Sequence, residues 1–134
     1  LRLTQQACRT RRRNTIFFRG AHSRSQGAQE LRSRVWALRT LPGANIKFVR
    51  SSTPGLRPVV QSWLRDQGWS KDVRVNYSAA AYVSGVLHAD FCAVIRGDSR
   101  NSGKQLVDAV AAGCVPVVIG DKISLPYRHN LKLS

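Results

Sequence analysis

Apolar residues are laid out along this chain in two alternating rhythms. Short unbroken runs of β-branched and aromatic residues alternate with stretches in which apolar residues recur every three or four positions. The first run, Thr15-Ile16-Phe17-Phe18, ends at Arg19-Gly20 and reads as a buried strand. After a Gly/Ser-rich stretch over 20–27, Leu31, Val35, Leu38 and Leu41 fall on one helical face, with Arg32, Arg34 and Arg39 off it. Pro42-Gly43 stops that helix, predicted over 28–41. Ile46-Lys47-Phe48-Val49 is a second strand, and 51–57 is a Ser/Pro/Gly loop. Val59, Val60, Trp63 and Leu64 mark a short helix over 58–67, and residues 73–75 a small third strand. Ser78 is the expected N-cap of a helix reaching His88, with Tyr82, Val83, Val86 and Leu87 as its apolar positions. A strand over 91–95, a helix over 103–112 and a strand over 115–119 complete the set.

Strands alternating with helices predict an α/β fold, a Rossmann-like parallel sheet with helices on both faces and right-handed crossovers. In the doubly wound order 3-2-1-4-5, the strands at 15–18 and 91–95 lie side by side at the switch point. The runs 91–95 and 115–119 are continuously apolar, as expected of strands covered on both faces.

Composition narrows the class. The chain has 134 residues, 43% of them hydrophobic, enough for one domain with its own core. It contains no methionine and no apolar run long enough to span a bilayer, and reads as a piece of a longer protein. The formal charge is +15, mostly arginine, which favours phosphate groups and other polyanions. The densest run, Arg9-Thr10-Arg11-Arg12-Arg13, sits in a basic leader over 1–14 and reads as solvated. No RNP aromatic pattern, zinc-finger spacing or basic heptad helix accompanies the charge, so nucleic acid is not the expected partner. The cysteines, Cys8, Cys92 and Cys114, are odd in number and show no C-x-x-C spacing. Neither a disulfide framework nor a zinc site is indicated, and Cys92 and Cys114 read as buried thiols. His22, His88 and His129 have no metal spacing and read as surface or packing residues.

The candidate chemistry lies between the strand at 91–95 and the helix that follows. Arg96-Gly97-Asp98-Ser99 leads into Asn101-Ser102, and Ser102 with Gln105 forms a capping box. That motif aims the free N–H groups around Gly103 and Lys104 at the loop, where they and the helix dipole suit a phosphate. Ser99, Asn101 and Ser102 supply further hydrogen bonds, Lys104 supplies charge, and Gly97 and Gly103 permit close backbone approach. Arg19 and Arg96 both end strands at the predicted switch point, and Asp121 follows the next strand on the same edge. Asp108 is open to two readings: an ion pair with Lys104 at i,i+4, or an acceptor for ribose hydroxyls. It is expected opposite a packing face of Leu106 and Val110. G-x-G-x-x-G, Walker A and G-x-S-x-G patterns are missing.

With these residues in view, the chain resembles the exostosin-like glycosyltransferases. Phe17-Phe18-Arg19-Gly20, Tyr82 with Val86 leading into Phe91-Cys92, and Gly97-Asp98-Ser99 match that family's blocks in order. So do Asp108-Ala109, Gly113-Cys114-Val115-Pro116-Val117-Val118, Asp121 and Leu125-Pro126-Tyr127. Ile95 stands where the family often has Pro, Ala89 where Ser is usual, and Gln105 where a basic residue is common. The resemblance implies one lobe of a GT-B glycosyltransferase, with 15–134 as a C-terminally incomplete nucleotide-sugar domain. It implies transfer from a UDP-linked donor to a glycan acceptor with inversion, no essential metal or cofactor, and a Golgi membrane protein facing the lumen. The donor residues it points to are Arg19, Arg96, Gly97, Asp98, Ser99, Asn101, Ser102, Lys104, Asp108 and Asp121. The catalytic base is expected outside this chain, on an N-terminal acceptor domain of the same protein. The alternative is a non-catalytic basic module, a degenerate remnant of such an enzyme that binds polyanions.

Overall fold

β1 (Asn14–Gly20) is a central strand whose two aromatic residues enter opposite layers. The computed structural model describes residues 14–22, 25–50, 57–69, 74–97 and 103–120. Within them, β2 (Ala44–Phe48) pairs with one side of β1 and β3 (Ala89–Ile95) with the other, and β4 (Val115–Ile119) lies beyond β3. All three pairings are parallel, with Phe17 opposite Asn45 and Cys92. Of the third strand expected at 73–75, the described residues show a single parallel bridge, Val49 to Val75, on the far side of β2. Val73 lies outside the described residues. The spatial order is nevertheless the expected one, with β1 and β3 adjacent.

Phe18, Ile46, Phe48 and Ile95 face a layer built by α1 (Gln26–Val35), a 3-10 turn (Trp36–Thr40) and α2 (Pro58–Asp66), through Val35, Trp36, Val60 and Leu64. Phe17 and Cys92 face α3 (Ala79–Leu87) and α4 (Gly103–Ala111) through Val86 and Ala109. Helices therefore cover both faces of a Rossmann-like sheet. Ser78 caps α3, its hydroxyl accepting from Ala81 N–H at 3.2 Å.

Four expectations need correction. The helix over 28–41 is α-helical only to Val35. Beyond it the chain winds as a 3-10 turn to Thr40, and Pro42 ends the winding by holding Leu41 in extended backbone. Gly43 then turns the chain at φ 75°, where a Cβ would lie 2.6 Å from Thr15 Oγ1. Cys92 and Cys114 are not thiols; they form a disulfide from β3 to the residue before β4. The packing face of α4 is Ala109, continued by Ala112, and Val110 is 59% exposed. Small residues bring the helix close to the sheet beside the disulfide, which turns the valines outward. Finally, β3 is buried from Cys92 to Ile95, but β4 is an edge among the described residues and leaves Val115 and Val118 exposed.

Of the two readings open for His22, surface or packing, the structure takes the second. It is buried and stacks on Phe48 at 3.9 Å between ring centroids. Gly85 has a packing role that its helical position does not advertise, because a Cβ there would overlap the Phe17 ring. Gly85→Ala should therefore destabilise the fold by about 2 kcal/mol, overpacking outweighing the roughly 1 kcal/mol of helix propensity that alanine restores. A urea titration checks this; a neutral or stabilising substitution would show that α3 shifts freely off the sheet.

Candidate functional site

β1 is followed by α1 on one face of the sheet, and β3 by α4 on the other. The two strands are neighbours, so their crossovers diverge and leave a crevice beyond their C-terminal ends. In a doubly wound sheet this is where ligands bind.

The crevice floor is held by a residue the pattern reading placed on the polar side of its helix. Arg32 of α1 reaches across the strand ends. Its Nη1 donates to Ala21 O at 2.7 Å, Nη2 to Ile95 O at 2.9 Å and Nε to Arg96 O at 3.1 Å. The guanidinium also lies 5.6 Å from the centre of the Phe18 ring. One cation thus ties the end of β1 to the end of β3. Nothing in the sequence distinguishes Arg32 from Arg34, which is exposed.

Arg19, near the end of β1, lies on the other face and is half-buried. It donates through Nη2 to Asn45 Oδ1 at 3.2 Å and sits 5.5 Å from the Phe17 ring centre. Burial lowers its pKa below the ordinary guanidinium value. Its Nε and the Oε1 of Gln105, in the first turn of α4, are buried and meet no hydrogen-bond partner among the described residues. Both residues border a void of about 10 Å³ that Tyr82 and Cys92 help to close, room for one water at most. The structure therefore brings Arg19 to the first turn of α4. Arg96 and Gly97 follow β3 at the same edge, and the Arg96 N–H continues the ladder to Ile119 O at 3.0 Å. Asp98, Ser99, Asn101, Ser102 and Asp121 lie outside the described residues, as do Arg9 to Arg13 and half of the capping box.

On the other side of Tyr82 the space opens. A groove of about 310 Å³ runs between α3 and α4, with Tyr77, Tyr82, Lys104 and Asp108 among its lining residues and Val86 and Ala112 among the apolar ones. Tyr77, Ser78 and the start of α3 stand at the same end of the sheet as the first turn of α4. Asp108 Oδ2 accepts from Tyr82 O–H at 2.7 Å and from Lys104 Nζ at 2.9 Å. Lys104 Nζ also lies 4.9 Å from the Tyr82 ring centre. Burial works to raise the Asp108 carboxyl, but the hydrogen bonds from Lys104 and Tyr82 outweigh it and leave its pKa below the usual carboxylate value. Its hydrogen bond to Asp108 raises Lys104, and burial followed by the separate Tyr82 O–H bond to Asp108 raises Tyr82 well above an ordinary phenol. The i,i+4 pair expected of Asp108 is present. Tyr82, which the pattern reading used as an apolar helix position, is the partner it missed. A phenol within a helical stripe gives no signal of what its hydroxyl meets.

Among the described residues there is no group of three metal-ligating side chains, and no helix is long and apolar enough to cross a membrane. The family model for the Exostosin GT47 domain matches residues 1–132. No curated protein and no solved structure matches the chain.

Proposed function

Since the chain belongs to the exostosin GT47 glycosyltransferase family, we propose that it is the donor-binding lobe of an inverting GT-B enzyme that transfers a sugar from a UDP-linked donor to a glycan. The observation that carries this reading is a convergence. The switch-point crevice, the first turn of α4 and the Tyr82–Asp108 groove share one edge of the sheet. The diphosphate lies against the loop over 97–104, within reach of Arg19 and Arg96, and the ribose lies toward Asp108. Gly97 and Lys104 belong to the donor site in this reading, with Lys104 supplying charge to the phosphates; Asp98, Ser99, Asn101, Ser102 and Asp121, outside the described residues, remain its candidate donor residues. The chemistry needs no metal here, because helix-terminal amides and arginines neutralise the diphosphate. The base that deprotonates the acceptor hydroxyl comes from a facing acceptor domain, so residues 1–134 alone bind donor without transferring sugar. The Cys92–Cys114 disulfide supports a lumenal Golgi location, since such bonds persist in oxidising compartments.

UDP at a hundred times its dissociation constant should raise the unfolding free energy by about 2.7 kcal/mol. Arg19→Ala should weaken UDP binding by roughly tenfold to a hundredfold, the worth of a charge-assisted contact. Thermal unfolding with UDP, GDP, ADP, a sulfated glycan and a short RNA measures both. Stabilisation by the polyanions with none by UDP would replace this reading with that of a basic binding module.

A further inference from the structure

We infer that Tyr82 is a positioning residue, holding the Asp108 carboxylate so that the site discriminates a ribonucleoside diphosphate from its deoxy analogue. This rests on the donor-binding reading above.

Two donors reach the Asp108 carboxylate, Tyr82 O–H and Lys104 Nζ, and both bond the same oxygen, Oδ2. Among the described residues nothing bonds Oδ1. The carboxylate is thus clamped through one oxygen and offers the other to the groove. Its two holders differ in rigidity. Lys104 is a solvated arm whose side chain is 80% exposed, against 31% for Asp108. Tyr82 is anchored from the core: its ring meets the buried Phe17 ring edge-on at 6.1 Å, and Phe17 in turn lies against Gly85. An anion at the first turn of α4 competes for Lys104, because the ammonium can turn toward a phosphate without disturbing the core. Tyr82 cannot turn away in the same manner. When the diphosphate draws off Lys104, the phenol alone fixes the carboxylate, and Oδ1 accepts from a ribose hydroxyl. The groove of about 310 Å³ is at the small end of the range for small-molecule pockets, and Tyr77, an exposed residue, stands among its lining residues.

Tyr82→Phe keeps the ring and its contact with Phe17 and deletes only the O–H. Titration calorimetry with UDP, 2′,3′-dideoxy-UDP and inorganic pyrophosphate separates the possible roles. The expected result is about a tenfold loss of UDP affinity, as for one well-placed hydrogen bond. The other two ligands should change less than twofold, so the ribose preference collapses. Asp108→Asn, at a partly exposed side chain, is the second variant. Adding Tyr82→Phe to it should cost UDP nothing further, as a double-mutant cycle requires of coupled residues. An unchanged UDP affinity in Tyr82→Phe overturns the inference, as does an equal loss for all three ligands or full additivity with Asp108→Asn. If the wild-type chain binds none of the three, the donor-binding reading falls and this one with it. If wild type binds UDP and Tyr82→Phe is neutral, only the Tyr82 role falls.

Discussion

Arg32→Met lowers the free energy of unfolding by about 3 kcal/mol, seen as an earlier urea midpoint at unchanged slope. Methionine keeps most of the aliphatic stem and its contact with Phe18 but removes all three donors. Ala21 O, Ile95 O and Arg96 O then lose their shared partner at the ends of two neighbouring strands. Hydrogen bonds to a charged group contribute about 1.5–3 kcal/mol each, and water at this partly open edge recovers some of that loss. Arg32→Lys should recover less than half of it, because a single ammonium cannot span the three carbonyls as a planar fork does. Arg34→Met is the control, on an exposed side chain, and should be close to neutral. A loss below 1 kcal/mol for Arg32→Met would mean that the strand ends are held by their own ladders and that the cation is incidental.

Arg32 also shows where sequence reading stops. The strands were legible because unbroken β-branched and aromatic runs have few other uses, and the helices because Leu31, Val35 and Leu38 repeat at helical spacing. Parallel order followed from alternation, and the adjacency of β1 and β3 from the doubly wound pattern. An arginine off an apolar stripe looks the same whether it meets water or the carbonyls of two strands. Only the position of α1 over the sheet edge decides it. The disulfide was hidden for a similar reason. Cys92 and Cys114 are 22 residues apart, and the β3–β4 register, with Cys92 opposite Pro116, is what brings them together. Leu106 and Val110 looked like the packing face of α4 because apolar residues four apart share one side of a helix. A helix pressed against a disulfide and a strand needs Ala109 there instead. The Lys104–Asp108 pair was readable as an i,i+4 pair, whereas Tyr82 O–H required knowing how α3 and α4 lie side by side.

Replacing both Cys92 and Cys114 with alanine should cost about 3 kcal/mol, the loop-closure entropy expected for a 22-residue separation. In a chain of 134 residues this lowers the melting temperature by about 10 °C. Scanning calorimetry of the double variant against the oxidised protein measures it. The loss should also be uneven in space. β4 is held on one side by β3, and with Val115 and Val118 exposed it has little burial of its own among the described residues. The disulfide supplies what packing does not, so amide hydrogen exchange should accelerate first in β4 and at the C-terminal end of α4. Uniform acceleration across the sheet would show that the bond acts only through the unfolded chain. The segment it closes contains every candidate donor residue from Arg96 to Asp108. Opening it frees both ends of the βαβ unit that carries the loop. If the donor site lies there, the double variant should lose UDP affinity even at temperatures where it remains folded. A fully folded variant with unchanged UDP affinity would place the anion site outside that segment.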